Sequence, residues 1–369
     1  MQIPDFTNKY FMPDAIILHK NIKILEIHSD FIIGASGYKL KKYINGKWQY
    51  FSCLNDVKYS FLSYFRLLSR LLRAEIHDYI TLRSGCGICI AKKAIFLENK
   101  TSKKFEKVFV VPRGSRPMML CEDTEGNLFF GEYFDNKERN EVKIYSSFDN
   151  GNTWKIAYTF FPDTIRHIHG IQMDPFTGFI WITTGDEDGE CNIALTKDKF
   201  KTLEIIATGG QEFRACNLLF LEDKIIYGTD SPYIQNFIRA ISRNDFSIVN
   251  ITKVQGSVIN ACRIGNKCII STTVEPSKIN KEKNSYIWIS ENGLHWTQIG
   301  CFRKDIYNIT LFQYGNIRFP RYRDTDMNTL FFSGHALKKI DGHSIELKNL
   351  DYHMKRSGEQ SVSLFELIN

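Results

Sequence analysis

Ser147-Phe148-Asp149-Asn150-Gly151-Asn152-Thr153-Trp154 has the spacing S-x-D-x-G-x-T-W, and its reading decides the fold. Asp149 can accept hydrogen bonds from backbone N–H groups of its own turn, and Gly151 allows a positive φ that other residues resist. Thr153 and Trp154 then begin the next strand, with the indole available to pack between sheets. Such a turn staples a β-hairpin and does no chemistry itself. The pattern recurs in weakened form. Thr196-Lys197-Asp198-Lys199-Phe200-Lys201-Thr202-Leu203 keeps Thr, Asp and Thr in register, with Phe200 where the glycine belongs. Ser290-Glu291-Asn292-Gly293-Leu294-His295-Trp296 is a shortened version, and Asn45-Gly46-Lys47-Trp48 reads as a remnant of another.

Between these turns, apolar runs ending in small or polar residues recur at intervals of roughly 40 to 60 residues, the range of four-stranded propeller blades. They are Phe31–Gly34, Gly87–Ile90, Leu128–Gly131, Ile180–Thr183, Ile225–Gly228, Ile269–Thr272 and Leu330–Ser333. The expectation is a single all-β domain over residues 1–369, a seven-bladed β-propeller with six blades as the alternative. The fourth unit parses most cleanly, with strands His167–Met173, Phe179–Thr184, Cys191–Leu195 and Leu203–Ala207 joined by turn-forming residues. Asp14 to Leu18 is expected to supply the outer strand of the last blade, leaving no open sheet edge.

A chain of 369 residues that is 43% hydrophobic and 14% aromatic can bury a large core. No run is long and apolar enough for a membrane span, and Met1-Gln2-Ile3-Pro4-Asp5 lacks the layout of a signal peptide. The nine cysteines show no disulfide framework, and Cys86-Gly87-Ile88-Cys89 is a lone CxxC. These features together predict a reduced, cytoplasmic protein. The net charge of +7 is modest and its lysine patches are not interleaved with stacking aromatics, which argues against nucleic acid.

One segment breaks the strand pattern. Over residues 58–73, within an insertion expected at 55–74 between blades 1 and 2, the apolar residues follow helical spacing. Phe61, Leu62, Phe65, Leu68 and Leu72 share one side; Arg66, Arg70 and Arg73 lie near the other. The apolar side packs on the propeller or a second subunit, or the helix lies on an anionic inner-membrane surface as a peripheral contact.

Topology then places the polar residues. In a four-stranded meander, loops entering the first strand share one rim with loops between the second and third. Arg166-His167-Ile168-His169-Gly170 and Asp186-Glu187-Asp188-Gly189-Glu190 should therefore meet there, opposite the stapled turns. His167 and His169, facing Asp186, Asp188 and Glu190, suit general acid/base catalysis. A metal site and a hydrogen-bonded network are the other readings; neither metal nor cofactor is assigned. Around the same mouth, Arg113, Arg116, Glu132, Tyr133, Arg166, Arg214, Asp230, Gln235 and Glu275 are candidate substrate-binding groups. Thr273, Asn236, Arg303 and His335 are further polar groups of that rim. Several arginines suit a carboxylate or phosphate on the ligand.

The stapled turns and blade parse resemble the BNR/Asp-box propeller superfamily, best known for sialidases. The runs Arg166–Gly170, Thr184–Cys191, Pro112–Pro117 and Gly228–Asp230 are similar to propeller proteins of bacterial surface-polysaccharide gene clusters. The resemblance implies a carbohydrate or glycan-intermediate ligand, for hydrolysis, lyase chemistry or sugar transfer, or alternatively a non-catalytic glycan-binding or assembly propeller. The chain departs from the sialidase pattern. No Arg-Ile-Pro motif precedes the first stapled turn, Ile317-Arg318-Phe319-Pro320 lies near the wrong end, and no Tyr–Glu nucleophile pair or acid/base Asp stands in a motif.

Overall fold

Seven sheets follow one another as blades around a common axis, antiparallel throughout except where the short Arg321–Tyr322 strand pairs parallel with Lys23–Ile27. The computed structural model describes residues 16–55, 57–58, 60–323 and 327–359. All seven apolar runs are second strands of blades. That strand is covered on both faces by neighbouring blades, so it is uniformly apolar rather than alternating. Blade 4 consists of His167–Met173, Ile180–Gly185, Cys191–Thr196 and Glu204–Gly209, in that order from the axis outward. The apolar clusters lie between blades: Phe129 and Ile144 of blade 3 pack with Ile168, Ile182 and Phe200 of blade 4.

The last blade closes the ring. Its outer strand is the N-terminal Ile16–His19, paired antiparallel with Ser344–Lys348 from Ile16↔Leu347 to His19↔Ser344. Asp14 and Ala15, also assigned to that strand, lie outside the described residues. The closing pair is reinforced by His19 Nε2 at 3.1 Å from Glu346 and by Trp48 Nε1 donating to His19 Nδ1 at 3.1 Å. The N-terminal strand thus gives the last blade its fourth, outer strand and ties it to the beginning of the described chain.

The stapled turns behave as their residue types dictate. Asp149 accepts from the Thr153 N–H at 2.9 Å and from its hydroxyl at 2.6 Å. The Gly151 N–H donates to Ser147 Oγ at 2.9 Å, and Trp154 Nε1 to the Gly151 carbonyl at 3.0 Å. Asp198 makes the same two bonds to Thr202, at 2.9 and 2.7 Å, although Phe200 replaces the glycine at φ +72°. Packing against Phe129, with ring centroids 5.2 Å apart, offsets that strain. Trp296 Nε1 repeats the indole bond to Gly293 at 2.9 Å. Asn45 and Gly46 are different: they form a two-residue hairpin turn with φ of +50° and +77°, which carries no staple.

Gly151 tests the device. Its φ is +89°, and a Cβ there would stand 2.7 Å from Ile88 Cδ1 of the adjacent blade. Gly151→Val is expected to cost about 2–4 kcal/mol, from backbone strain plus overpacking. A urea-unfolding midpoint unchanged from wild type would show that this turn is not under the constraint described.

The inserted segment is helical, but its orientation reverses one expectation. Ser60–Tyr64 forms a 3₁₀ turn and Arg66–Leu72 an α-helix, interrupted at Phe65 by an extended backbone. The arginine side faces the protein. Arg70 is fully buried and pairs with Asp305 at 2.5 Å and Asp341 at 3.2 Å, while Arg66 pairs with Asp341 at 2.6 Å. Phe61, Phe65, Leu67, Leu68, Leu71 and Leu72 are exposed. The apolar side therefore does not pack on the propeller. The cause is the acidic ledge of Asp305 and Asp341, which the guanidinium groups can reach and leucines cannot satisfy. Among the described residues no helix is long and apolar enough to cross a membrane.

Candidate functional site

One rim of the ring collects the loops entering the first strands and those leaving the second, and the stapled turns occupy the other. Both histidines and Asp186 are on the first rim, as expected. The route to that juxtaposition is a bulge. His167 pairs with Gly185 and Ile168 with Thr184, but the next partner pair is Gly170 with Thr183, so His169 is the extra residue. A bulge re-aims a side chain that regular pleating would place elsewhere. Gly185 makes room for the ring: a Cβ there would stand 2.7 Å from His169 Cε1.

His167 Nε2 and His169 Nε2 are 3.1 Å apart, and Asp186 Oδ1 is 3.4 and 3.1 Å from them. Arg214 approaches the same oxygen at 2.9 Å, and Arg166 approaches Oδ2 at 3.2 Å. Burial acts to raise the Asp186 pKa. Its contacts with the two imidazoles and the charge of Arg214 outweigh burial and hold the carboxyl well below its usual range. His169 is pulled down, chiefly by burial. The histidines are only 4% and 2% exposed, so a bulky substrate cannot reach them directly.

Other expected members of this set are elsewhere. Asp188 is exposed in the loop, and Glu190 is turned to Arg139. Arg113 and Glu132 grip one another, and Glu132, fully buried, also accepts the Lys143 N–H at 2.9 Å; both are committed to holding blade 3. Gln235 donates to the Asn236 and Val254 carbonyls at 3.0 and 2.8 Å, and Asn236 is buried in a network with Thr229 and Asn280. Arg303 is exposed at the end of an outer strand, and His335 is buried beneath the helix against Arg66. Thr273 is buried. For Glu190, Arg113, Glu132, Gln235, Asn236 and His335, short-range polar partners win the side chain, which strand order alone does not reveal.

The remaining candidates do converge. Tyr133 lies with its ring centroid 4.2 Å from that of His167. Arg214 is 3.5 Å from Asp230, whose carboxylate also accepts from Cys216 Sγ at 3.4 Å. Glu275 belongs to the same group: burial first, then the charge of Asp230, push its pKa up to about 7. Tyr314 stands beside Glu275, and burial together with that carboxylate pushes the phenol up to about 12.

Arg73, Arg116 and Arg318 stand close together. Burial and then Arg116 pull Arg73 down to about 10, while burial and then Arg318 lower Arg116. Glu75 binds Arg318 at 2.6 Å and Lys23 at 3.8 Å. Tyr314, Arg73, Arg318 and Glu75 were not singled out from the sequence as site residues. Tyr314 and Arg73 lie in inter-blade connections whose reach cannot be read from strand periodicity. Arg318 had a signal, the Ile317-Arg318-Phe319-Pro320 run, whose position near the chain end is deceptive because the ring places blade 7 beside blade 1.

A cavity of about 450 Å³ occupies the axis, lined by first-strand residues including Lys23, His77, Asp78, Gln172, Asn217 and Arg321. Neither histidine nor Asp186 lines it. Burial lowers the Lys23 pKa to about 8.

No protein-family model matches the chain, and no curated protein is similar to it by sequence. Solved structures similar in fold are numerous. YCF48 bound to a D1 peptide superposes with a TM-score of 0.55 at 10% identity, covering 90% of this chain and 96% of that one. The extracellular domain of the hybrid two-component system BT4673 from B. thetaiotaomicron gives 0.56 at 11%, covering 91% and 43%. The GH74 enzyme of Niastella koreensis gives 0.53 at 15%, covering 76% and 46%. At these identities the likeness establishes the seven-bladed scaffold and nothing about activity.

Proposed function

We propose that this propeller is a glycan-processing enzyme acting on an anionic sugar at a membrane face, by glycoside cleavage or sugar transfer. The observation that carries the reading is Glu275, a carboxyl pushed up to about 7, beside Asp230 and Tyr314 and on the rim that carries Arg73, Arg116 and Arg318. Two carboxyl groups with divergent environments are what acid-assisted cleavage of a glycosidic bond needs. Glu275 holds its proton near neutral pH and can deliver it to a leaving oxygen; Asp230 is the second carboxylate. The arginines suit a carboxylate or phosphate on the ligand. The GH74 glycoside hydrolase among the structural neighbours supports the scaffold's suitability for such a ligand.

The test is a screen of activated glycosides and nucleotide sugars against wild type and Glu275→Gln. Turnover in wild type that is lost in the variant supports the reading. Saturable ligand binding without turnover favours a glycan-binding propeller, which the burial of both histidines and the displacement of Asp188 and Glu190 would suit.

The same rim carries the exposed apolar side of the Arg66–Leu72 helix, joined by Ile306, Tyr307, Leu311 and Tyr314 from the connection entering blade 7. Lys39, Lys58 and Lys92 are exposed around its base. Apolar side chains ringed by lysines fit the interface of an anionic lipid bilayer. The nine unpaired cysteines suit a reducing compartment, so the reading places the protein on a cytoplasmic membrane face. Leu68→Ser with Leu71→Ser should reduce co-sedimentation with phosphatidylglycerol-containing vesicles about tenfold or more and leave the unfolding midpoint within error. Equal sedimentation of the two proteins would sink the lipid assignment; a wild-type dimer that the substitutions dissociate would assign this face to a second copy.

A further inference from the structure

We propose that His167, His169 and Asp186 bind a divalent transition-metal ion of the zinc type. Each imidazole presents Nδ1 to a main-chain carbonyl: His167 to Phe134 O at 2.9 Å, His169 to Ala215 O at 3.3 Å. A carbonyl oxygen only accepts, so both Nδ1 atoms carry the proton. In that tautomer of the uncharged ring, Nε2 is the nitrogen that can ligate. The two Nε2 atoms face each other at 3.1 Å, and Asp186 Oδ1 faces both. Two imidazole nitrogens and one carboxylate oxygen turned to a common point form the donor set that a shared cation takes.

The dimensions fit such an ion. Zinc bonds to imidazole nitrogen and carboxylate oxygen are about 2.0–2.1 Å, so two donors of a tetrahedral set stand roughly 3.3 Å apart. The three edges here are 3.1, 3.1 and 3.4 Å. Main-chain carbonyls on the distal nitrogens are a usual outer shell, locking tautomer and ring orientation. Two imidazoles and one carboxylate favour zinc-like ions over calcium or magnesium. Arg166 and Arg214 also hold Asp186, and their charges oppose a cation. Binding is therefore weaker than in an all-cysteine structural site. The inference is independent of the glycan reading, because a bound ion here can be purely structural.

The test uses the full chain, stripped with a chelator and dialysed against Zn²⁺ or Co²⁺. One equivalent should be retained by wild type and by Cys216→Ser, and lost in His167→Gln and Asp186→Asn. Co²⁺ should give the intense visible bands of a tetrahedral site, absent from those variants. Circular dichroism of the metal-free proteins controls for folding. Arg166→Gln keeps the test decisive should the ligand variants misfold: removing a neighbouring positive charge should tighten Zn²⁺ affinity several-fold. Retention by wild type no greater than by His167→Gln, with Arg166→Gln unchanged, overturns the proposal and leaves one proton shared between the rings.

Discussion

Glu275→Gln is expected to lower turnover of an activated glycoside by at least about a hundredfold, the usual contribution of a positioned general acid. The same substitution should stabilise the fold above neutral pH. Burial and the Asp230 charge raise the Glu275 pKa from 4.5 to about 7. Between those values the folded chain keeps a proton that the unfolded chain has released. Stability from this group is therefore fully present below about 4.5, declines as pH rises, and is gone above about 7. The shift corresponds to roughly 3 kcal/mol. A glutamine mimics the protonated acid at every pH, so the melting temperature of the variant relative to wild type should climb from pH 5 to pH 8. Wild-type activity should fall over the same interval as the acid loses its proton. A variant-minus-wild-type difference that stays flat from pH 5 to 8 means that Glu275 titrates normally, and its acid role then fails with it.

That gain in stability with loss of activity is informative about how the site is built. Asp230 and Glu275 both stand in the loops that leave the second strands of successive blades, one residue after Thr229 and three after Thr272. The repeat that organises the core therefore also stacks like-charged groups around the mouth, at an electrostatic cost a purely structural protein would avoid.

What could be read in advance follows from the same repeat. Second strands are sandwiched between blades, so their sequences are uniformly apolar and visible, as in Gly87–Ala91 and Leu128–Gly131. Stapled turns have local hydrogen-bond chemistry, so Ser147–Trp154 reads correctly by itself, and Thr196–Leu203 does so despite its phenylalanine. The rim assignment of His167 and Asp186 needed only strand order. The partners of long side chains needed more. Arg113 could reach a ligand or Glu132, and the choice depends on a desolvated carboxylate a few ångströms away. His169 is aimed by a bulge that no residue pattern announces. Tyr314 and Arg73 arrive from connections whose paths are set by an ion pair across the ring.

That ion pair belongs to Arg70, whose replacement by alanine should cost about 3–5 kcal/mol, as expected for removing one partner from a buried charge cluster. The guanidinium is fully buried. It donates to the Phe312 carbonyl through Nε at 2.9 Å and through a terminal nitrogen at 2.5 Å, and it binds Asp305 and Asp341. Gln313 Nε2 returns a bond to the Arg70 carbonyl at 2.8 Å. Asp305 keeps Lys304 and Asp341 keeps Arg66, which sets the effect toward the lower end of the range. A two-turn helix has little stability of its own. Without the anchor, the segment around 60–73 should become sensitive to limited proteolysis. Arg70→Lys should recover only part of the loss, because an ammonium cannot reproduce the planar fork. The consequence reaches the mouth, since Arg73 follows the anchor on one side and Tyr314 follows Phe312 and Gln313 on the other. Arg70→Ala should therefore depress turnover in the fraction that remains folded and leave Zn²⁺ retention by His167, His169 and Asp186 unchanged. An unfolding midpoint within about 0.5 kcal/mol of wild type, below the range for such a group, would mean that the helix is held by something other than this cluster.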